Sequence, residues 1–64
     1  MCETDVYIID TDGEKLFAKE VASMSPKQNG YIFVDIYGRK YEADSVEIVY
    51  IDFIGHRVIL RRLG

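Results

Sequence analysis

The sequence is short of the residues on which small secreted domains and cleft enzymes depend. Its 64 residues include one cysteine, one histidine and one proline, and no tryptophan. A single cysteine cannot form an internal disulfide, so the chain lacks the cross-link that supports most small secreted folds. A chain of this length also holds one domain only, with no room for a large substrate cleft. We therefore expect a single domain over residues 1–64 that is not an enzyme.

Long apolar runs are absent, and so is any excess of positive charge. No stretch approaches the roughly 20 apolar residues of a membrane span. The first residues lack the basic and apolar regions of a signal peptide, so we expect a cytoplasmic protein. The net charge is −3 at pH 7. This acidic balance argues against unaided binding to nucleic acid, because cationic side chains supply most of that affinity.

The hydrophobic residues that are present favour strands. They make up 48% of the chain, with 14 valines and isoleucines against 6 leucines and alanines. Five tyrosines and three phenylalanines join them. Because β-branched and aromatic side chains fit the pleated surface of a sheet, this composition predicts an all-β domain.

Four interior glycines divide the chain into five strand-like segments. Asp12-Gly13 and Asn29-Gly30 are strong hairpin signals, since tight turns need a positive φ at a central residue. Gly38 and Gly55 mark weaker turns. Polar and apolar residues alternate along much of the sequence between these turns, as expected of half-buried strands. The predicted strands are residues 5–10, 15–24, 31–36, 40–53 and 57–62.

Five short antiparallel strands most simply close into a small barrel of the SH3-like or Sm-like kind, because closure removes exposed edges. An open five-stranded meander is the alternative, and residues 20–27 could instead hold one helical turn. Residues 1–14 carry five acidic side chains and no basic one, whereas residues 55–64 carry three arginines and no acid. Opposite charges favour neighbouring strands, so we expect the first and last strands to lie side by side.

Apolar residues occur on both faces of several predicted strands. They include Ile9, Phe33, Ile51 and Ile59. One small core cannot bury all of them, so we predict a homodimer that covers the second set. Scattered apolar residues on an ordinary protein surface are the alternative explanation.

Cys2 is the candidate metal ligand. A thiolate is a nucleophile and a soft metal ligand, and a chain end just ahead of the first strand is usually exposed. A buried structural cysteine is the competing interpretation. One cysteine alone makes a weak site. Two cysteines brought together across a dimer axis, with neighbouring backbone nitrogens, would make a good one.

Three other patterns carry weaker functional signals. His56 could be a further ligand or an acid–base group, but no triad or zinc-cage spacing surrounds it, so we favour an exposed turn histidine. The run Asp10-Thr11-Asp12-Gly13 lacks the later ligand positions of a calcium loop, so we interpret it as a hairpin turn. Tyr31, Phe33 and Tyr37 could stack on the bases of single-stranded RNA, although aromatics that alternate along a strand more often pack in a core.

Four groups of residues follow one another over nearly the whole chain. They are Met1-Cys2-Glu3 leading into Val6-Tyr7-Ile8, then Glu20-Val21, then Asp35-Ile36-Tyr37-Gly38-Arg39, and finally Ile51-Asp52-Phe53-Ile54-Gly55-His56-Arg57-Val58-Ile59-Leu60. Together they resemble the CooT-type family of small nickel-binding proteins, which is associated with maturation of carbon monoxide dehydrogenase. The opening group combined with the closing block is the specific part of this resemblance.

The resemblance implies an Sm-like barrel that forms a homodimer and binds nickel at the interface. Only Cys2, one from each subunit, carries over as a ligand. Two thiolates with backbone nitrogens suit square-planar Ni(II), although copper and zinc would compete for such a site. The implied role is a metallochaperone or store for maturation of a nickel enzyme such as carbon monoxide dehydrogenase, with that enzyme or other maturation factors as partners. The alternative is an Sm-like RNA-binding or adaptor module without metal, which rests on fold analogy.

Overall fold

The computed structural model describes residues 3–63, and it confirms the prediction of an all-β fold. Within these residues there are six strands and no helix, and therefore no helix that could cross a membrane. The strands form one sheet in the order β4-β3-β2-β1-β6-β5. Their bounds are β1 (Thr4–Asp10), β2 (Gly13–Lys27), β3 (Gly30–Asp35), β4 (Lys40–Asp44), β5 (Val46–Asp52) and β6 (Arg57–Arg62).

The number and direction of the strands differ from the prediction of five antiparallel strands. The predicted strand 40–53 divides at Ser45, whose φ of 55° interrupts the extended backbone between β4 and β5. β1 and β6 are neighbours, as the charges at the two chain ends predicted, but they run parallel. Because the other pairs are antiparallel, the sheet is mixed.

The sheet is not closed into a barrel, because its two edge strands, β4 and β5, do not pair with each other. It is bent instead, since β2 changes partner along its length. Residues 13–21 of β2 pair with β1, and residues 21–27 pair with β3. Glu20, with a φ of 57°, and a register shift just after Val21 mark the bend.

The bend divides the sheet into two half-sheets. The first half-sheet contains residues 13–21 of β2 with β1, β6 and β5, and the second contains residues 21–27 of β2 with β3 and β4. The chain crosses between them again at Ser45, whose N–H donates to the carbonyl of Asn29 at 2.6 Å. The helical turn proposed for residues 20–27 is wrong, because β2 continues through Pro26. Proline is tolerated there because this part of β2 has a neighbour on one side only.

Both glycine hairpins form, but their two glycines act differently. Gly13 has a φ of 108° and closes the turn between β1 and β2. In the second hairpin the positive φ falls on Asn29, at 70°, and Gly30 already belongs to β3. A Cβ on Gly30 would collide with the backbone oxygen of Ala43 on β4. Gly30 is therefore required for close strand approach rather than for turning the chain.

The hydrophobic core lies between the two half-sheets. Val6, Phe33 and Leu60 are its largest fully buried side chains. Phe17 of the first half-sheet contacts Phe33 and Tyr41 of the second edge to face, with both pairs of ring centroids 6.2 Å apart. Two of the four apolar residues that predicted a dimer, Phe33 and Ile59, are buried within the chain itself, and Ile9 and Ile51 are half-buried. Only part of the apolar set that predicted a dimer is therefore buried within the single chain, and the homodimer stays a prediction.

Candidate functional site

An open apolar groove lies at the end of the molecule where β2 bends. It occupies the seam between the two half-sheets and has a volume of about 460 Å³. Val6, Phe33 and Val58 contribute to its lining, and Met24 and Ile51 line it from the two half-sheets. This volume falls in the range of about 300–1,000 Å³ that is usual for ligand pockets. The groove is open to solvent.

Polar side chains and the start of β1 form the rim of the groove. Thr4, Ser23, Asp52 and His56 all line it. His56 has a φ of 57° and is half-buried, so it is not the freely exposed turn histidine that the sequence favoured. Its carbonyl oxygen accepts a hydrogen bond of 3.0 Å from the N–H of Asp5, which ties the β5–β6 turn to the beginning of β1.

The predicted metal ligand, Cys2, lies outside the described residues, two positions before Thr4. Among residues 3–63, no group of three or more histidine, cysteine, aspartate or glutamate side chains could hold a metal ion. Asp10 accepts a hydrogen bond of 2.8 Å from the N–H of Asp12, which confirms that the sequence Asp10-Thr11-Asp12-Gly13 is a hairpin turn. The metal-binding role of Cys2 therefore stays a prediction.

The β5–β6 turn carries the two most exposed large apolar side chains of the described region. Phe53 is 80% exposed and Ile54 is 91% exposed. The N–H of Gly55 donates to Oδ1 of Asp52 at 2.8 Å, so the turn is braced from within. The sequence predicts a strand end and a weak turn here, within the closing block of the family resemblance, but not the exposure of these side chains. A Phe-Ile pair directly before a turn glycine was the available signal, because turns usually carry small and polar residues.

The β3–β4 turn, at the same end, is organised around Asp35. Asp35 is 2% exposed and is the only buried charged residue in the part of the chain that the structure describes. Oδ1 accepts hydrogen bonds from the N–H groups of Tyr37 and Arg39 at 2.9 and 2.8 Å. Oδ2 accepts from Nε of Arg39 at 2.7 Å and from the hydroxyl of Tyr41 at 3.2 Å. This role of Asp35 in holding the turn together was not predicted from the sequence.

The hydrogen bonds to Asp35 decide its protonation state. Burial by itself raises the pKa of a carboxyl group, and it is the largest single influence on Asp35. The donors from Arg39, Tyr37 and Tyr41 together outweigh it and hold the pKa of Asp35 below its ordinary value. The Arg39 guanidinium also lies 5.1 Å from the centre of the Tyr37 ring. The turn is thus held by an ionised carboxylate and needs no ligand to be ordered.

The aromatic residues proposed for base stacking do not share an exposed face. Phe33 is fully buried and Tyr31 is half-buried, whereas Tyr37 is 66% exposed and stacks on Arg39. Arg61 is paired with Glu47 of β5 rather than with an acid of β1. The structure therefore offers no aromatic platform for RNA along β3.

The segments that carried the sequence resemblance converge at this end. Thr4 lies opposite Val21, Val21 lies opposite Asp35, and Asp5 lies opposite Arg57. The N–H of Ile36 donates to the carbonyl of Glu20 at 2.9 Å, which joins the β3–β4 turn to the bend of β2. The shared pattern is therefore concentrated around the groove and the start of β1.

Comparison with known proteins points in the same direction. Residues 1–61 match the family model described as CO dehydrogenase accessory protein CooT. A crystal structure assigned to CooT from Carboxydothermus hydrogenoformans has a TM-score of 0.86 and 27% sequence identity, covering 98% of this chain and 100% of that one. A search of curated proteins found no significant match to the chain.

Proposed function

Because the chain belongs to the CooT family of CO dehydrogenase accessory proteins, we propose that it binds Ni(II) as cargo and serves as a metallochaperone or nickel store. Its client is a carbon monoxide dehydrogenase under maturation, and it works in the cytoplasm without catalysing a reaction of its own. The observation that carries this proposal is the family match over residues 1–61, which includes Cys2.

The ligand set proposed for nickel is Cys2 from each of two subunits, completed by backbone nitrogens. Cys2 is the only thiol in the sequence. Soft thiolate ligands and nitrogens in a plane suit Ni(II), whereas the hard carboxylate oxygens that abound in this acidic chain suit magnesium and calcium. Since residues 3–63 hold no metal-binding cluster, a second copy is the natural source of the second thiolate. The functional unit is therefore a homodimer.

The position of Cys2 suits a carrier. In the sequence it precedes Thr4 by two residues, and Thr4 lines the open groove. A metal that must be delivered needs a site that an incoming ligand can reach, whereas structural metals are enclosed by four protein ligands. The same openness admits competing metals, and copper exceeds nickel in affinity for most such sites. Selectivity must then come from geometry and from metal supply in the cell.

Titration with Ni(II) tests the binding proposal. The protein should develop thiolate-to-nickel charge-transfer absorption that saturates at one nickel ion per dimer. Cys2→Ser should abolish that absorption, and His56→Ala should retain it, because the histidine is not part of the proposed ligand set. If Cys2→Ser binds nickel as tightly as the unaltered chain does, the assignment of Cys2 is wrong.

Delivery is tested by transfer to the client. Nickel-loaded protein is mixed with nickel-deficient carbon monoxide dehydrogenase in the presence of a chelator that removes free nickel. The enzyme should gain nickel and activity from the loaded protein but not from the same amount of nickel incubated with Cys2→Ser. Equal recovery of enzyme activity in the two mixtures would contradict the delivery role and support only a storage role.

A further inference from the structure

We propose that Asp5 is a positioning residue for nickel binding, because it fixes the beginning of β1, from which the chain leads back to Cys2. This inference rests on the proposed function, in which Cys2 and neighbouring backbone nitrogens are the ligands. Asp5 does not itself touch the nickel ion. The contacts through which it acts lie entirely within the described residues.

The pairing of β1 with β2 is interrupted opposite Asp5. Between Thr4 and Val6 the register shifts, and β2 contributes one residue more than β1. A bulge of this kind leaves a backbone N–H without its partner in the ladder, and an unpaired donor is costly. The side chain of Asp5 supplies the missing acceptor, since its Oδ1 accepts a hydrogen bond of 3.2 Å from the N–H of Glu20.

Asp5 is bonded on both sides to residues with a left-handed backbone. Glu20 and His56 each have a φ of 57°. The carboxylate of Asp5 accepts from Glu20, and its N–H donates to the carbonyl oxygen of His56 at 3.0 Å. A residue other than glycine keeps such a φ only where its surroundings fix it. Asp5 therefore joins the bend of β2 and the β5–β6 turn to one short stretch of β1.

This anchoring matters for nickel because of the kind of ligands proposed. Cys2 precedes Asp5 by three residues, a stretch that spans at most about 11 Å when fully extended. Part of the ligand set is backbone nitrogen, whose direction depends on the path of the chain and not on a side-chain rotamer. Square-planar Ni(II) needs its donors in one plane. Fixing Asp5 at two points reduces the conformational freedom that is lost when the donors are ordered.

The hydrogen bond and the charge of Asp5 are separated by two conservative variants. Asp5→Asn keeps an oxygen that can accept from Glu20 and removes the charge. Asp5→Glu keeps the charge and moves the carboxylate one methylene group away from its position beside Glu20. If Asp5 acts by positioning, Asp5→Asn should bind Ni(II) within about 3-fold of the unaltered chain, and Asp5→Glu should bind more weakly than Asp5→Asn.

Asp5→Ala removes the acceptor altogether. Its dissociation constant for Ni(II) should rise about 10-fold or more, as for other groups that orient a metal ligand without touching the metal. Competition with a chelator of known nickel affinity measures this constant. The thiolate-to-nickel absorption band should keep its position, because Cys2 remains the ligand, and should develop only at higher free nickel.

Asp10→Ala is the matched control, at the other end of β1. Asp10 is half-buried like Asp5, and its Oδ1 also accepts a backbone hydrogen bond, from the N–H of Asp12 at 2.8 Å. It stands eight residues after Cys2, so Asp10→Ala should bind nickel as tightly as the unaltered chain. Circular dichroism establishes that each variant is folded.

The inference is overturned if Asp5→Ala binds nickel as tightly as Asp10→Ala does. It is overturned equally if Asp5→Asn binds more weakly than Asp5→Glu, since the charge and not the hydrogen bond would then decide affinity, and this comparison stands even where Asp5→Ala does not fold. Both outcomes leave the proposed function intact. If Cys2→Ser binds nickel as tightly as the unaltered chain, the proposed function is wrong and this inference fails with it.

Discussion

Two turns at the same end of the sheet deal with their side chains in opposite ways. The β3–β4 turn is satisfied internally, since Asp35 collects hydrogen bonds from Tyr37, Arg39 and Tyr41. The β5–β6 turn also has an aspartate brace, Asp52, but it leaves its apolar side chains in water. One turn completes the fold, whereas the other leaves two large apolar side chains exposed to solvent.

The difference shows that hydrogen bonds to an aspartate do not by themselves indicate the role of a turn. An aspartate that accepts N–H groups stabilises either turn, because unpaired backbone donors are costly. The distinguishing quantity is the exposure of the remaining side chains. Asp35 is almost completely buried, so its carboxylate belongs to the core of the fold. Substitutions in the β3–β4 turn should accordingly reduce the stability of the fold more than matched substitutions in the β5–β6 turn.

The largest expected effect is that of Asp35→Ala. This variant leaves the N–H groups of Tyr37 and Arg39 without their acceptor, and a folded domain of this size loses several degrees for each hydrogen bond removed. We expect the melting temperature followed by circular dichroism to fall by roughly 10 °C or more.

Asp44→Ala is the control for Asp35→Ala. Asp44 also forms a close ion pair, since its Oδ1 lies 2.7 Å from Nζ of Lys27, but its side chain is 68% exposed. Exposed ion pairs contribute little, so the control should melt within a few degrees of the unaltered chain. Equal losses in the two variants would contradict the structural role assigned to Asp35.

The second effect is a dependence of stability on pH. The pKa of Asp35 is lower in the folded chain than its ordinary value of about 4. The folded state therefore binds this proton less readily than the unfolded state does, so Asp35 contributes its full stabilisation above pH 4 or so. That contribution is lost as the pH falls through the lowered pKa of the folded state.

Urea unfolding at a series of pH values measures this loss. The unaltered chain should lose stability below about pH 4, and Asp35→Asn should lose less over the same interval because it has no proton to gain there. Parallel curves for the two proteins would show that other carboxyl groups cause the acid sensitivity.

The third effect compares the glycines of the two turns. Gly38 has a φ of 85°, so Gly38→Ala should reduce the free energy of unfolding by about 1 kcal/mol through backbone strain alone. Gly55 has no such φ, but a Cβ there would lie 2.6 Å from Oδ2 of Asp52. Gly55→Ala should displace that carboxylate and loosen the β5–β6 turn.

Measured together, the two glycine variants separate the roles of the turns. We expect Gly38→Ala to lower the free energy of urea unfolding by the larger amount, because the strain of its positive φ cannot be relieved locally. Gly55→Ala should lower it less, because the Asp52 carboxylate lies at the end of a side chain and can move aside. Equal losses in the two variants would show that the two turns contribute alike to stability.

Features that depend on local chemistry were predictable from the sequence. Asp12-Gly13 and Asn29-Gly30 mark real hairpins, because turn geometry is set by the residues within the turn. The division at Ser45 was not predictable, since it depends on hydrogen bonds to Asn29 and Leu63, which are distant in sequence. The parallel pairing of β1 and β6 was not predictable either, because it depends on the path of the whole chain between them.

The candidate site was predictable only in part. The resemblance predicted the family, which the match over residues 1–61 confirms, and it predicted Cys2 as a metal ligand, which stays a prediction. No sequence pattern places the groove, which lies at the seam between the two half-sheets. The burial of Asp35 depends on Tyr41, which belongs to the next strand. The hydrophobicity of Phe53 predicts that it is buried. The fold shows instead that the turn, held by Asp52, keeps the ring in solvent.

The smallest effect comes from a matched pair of aromatic substitutions. Tyr37→Leu removes the ring on which Arg39 stacks, and an exposed contact of this kind is weak, so the melting temperature should fall by about 2–5 °C. Phe53→Leu keeps an apolar side chain and should not change the melting temperature of the dilute chain, because the ring contacts little within its own copy. If Phe53→Leu lowers the melting temperature as much as Tyr37→Leu does, then both aromatic rings stabilise the fold and the division between the two turns fails.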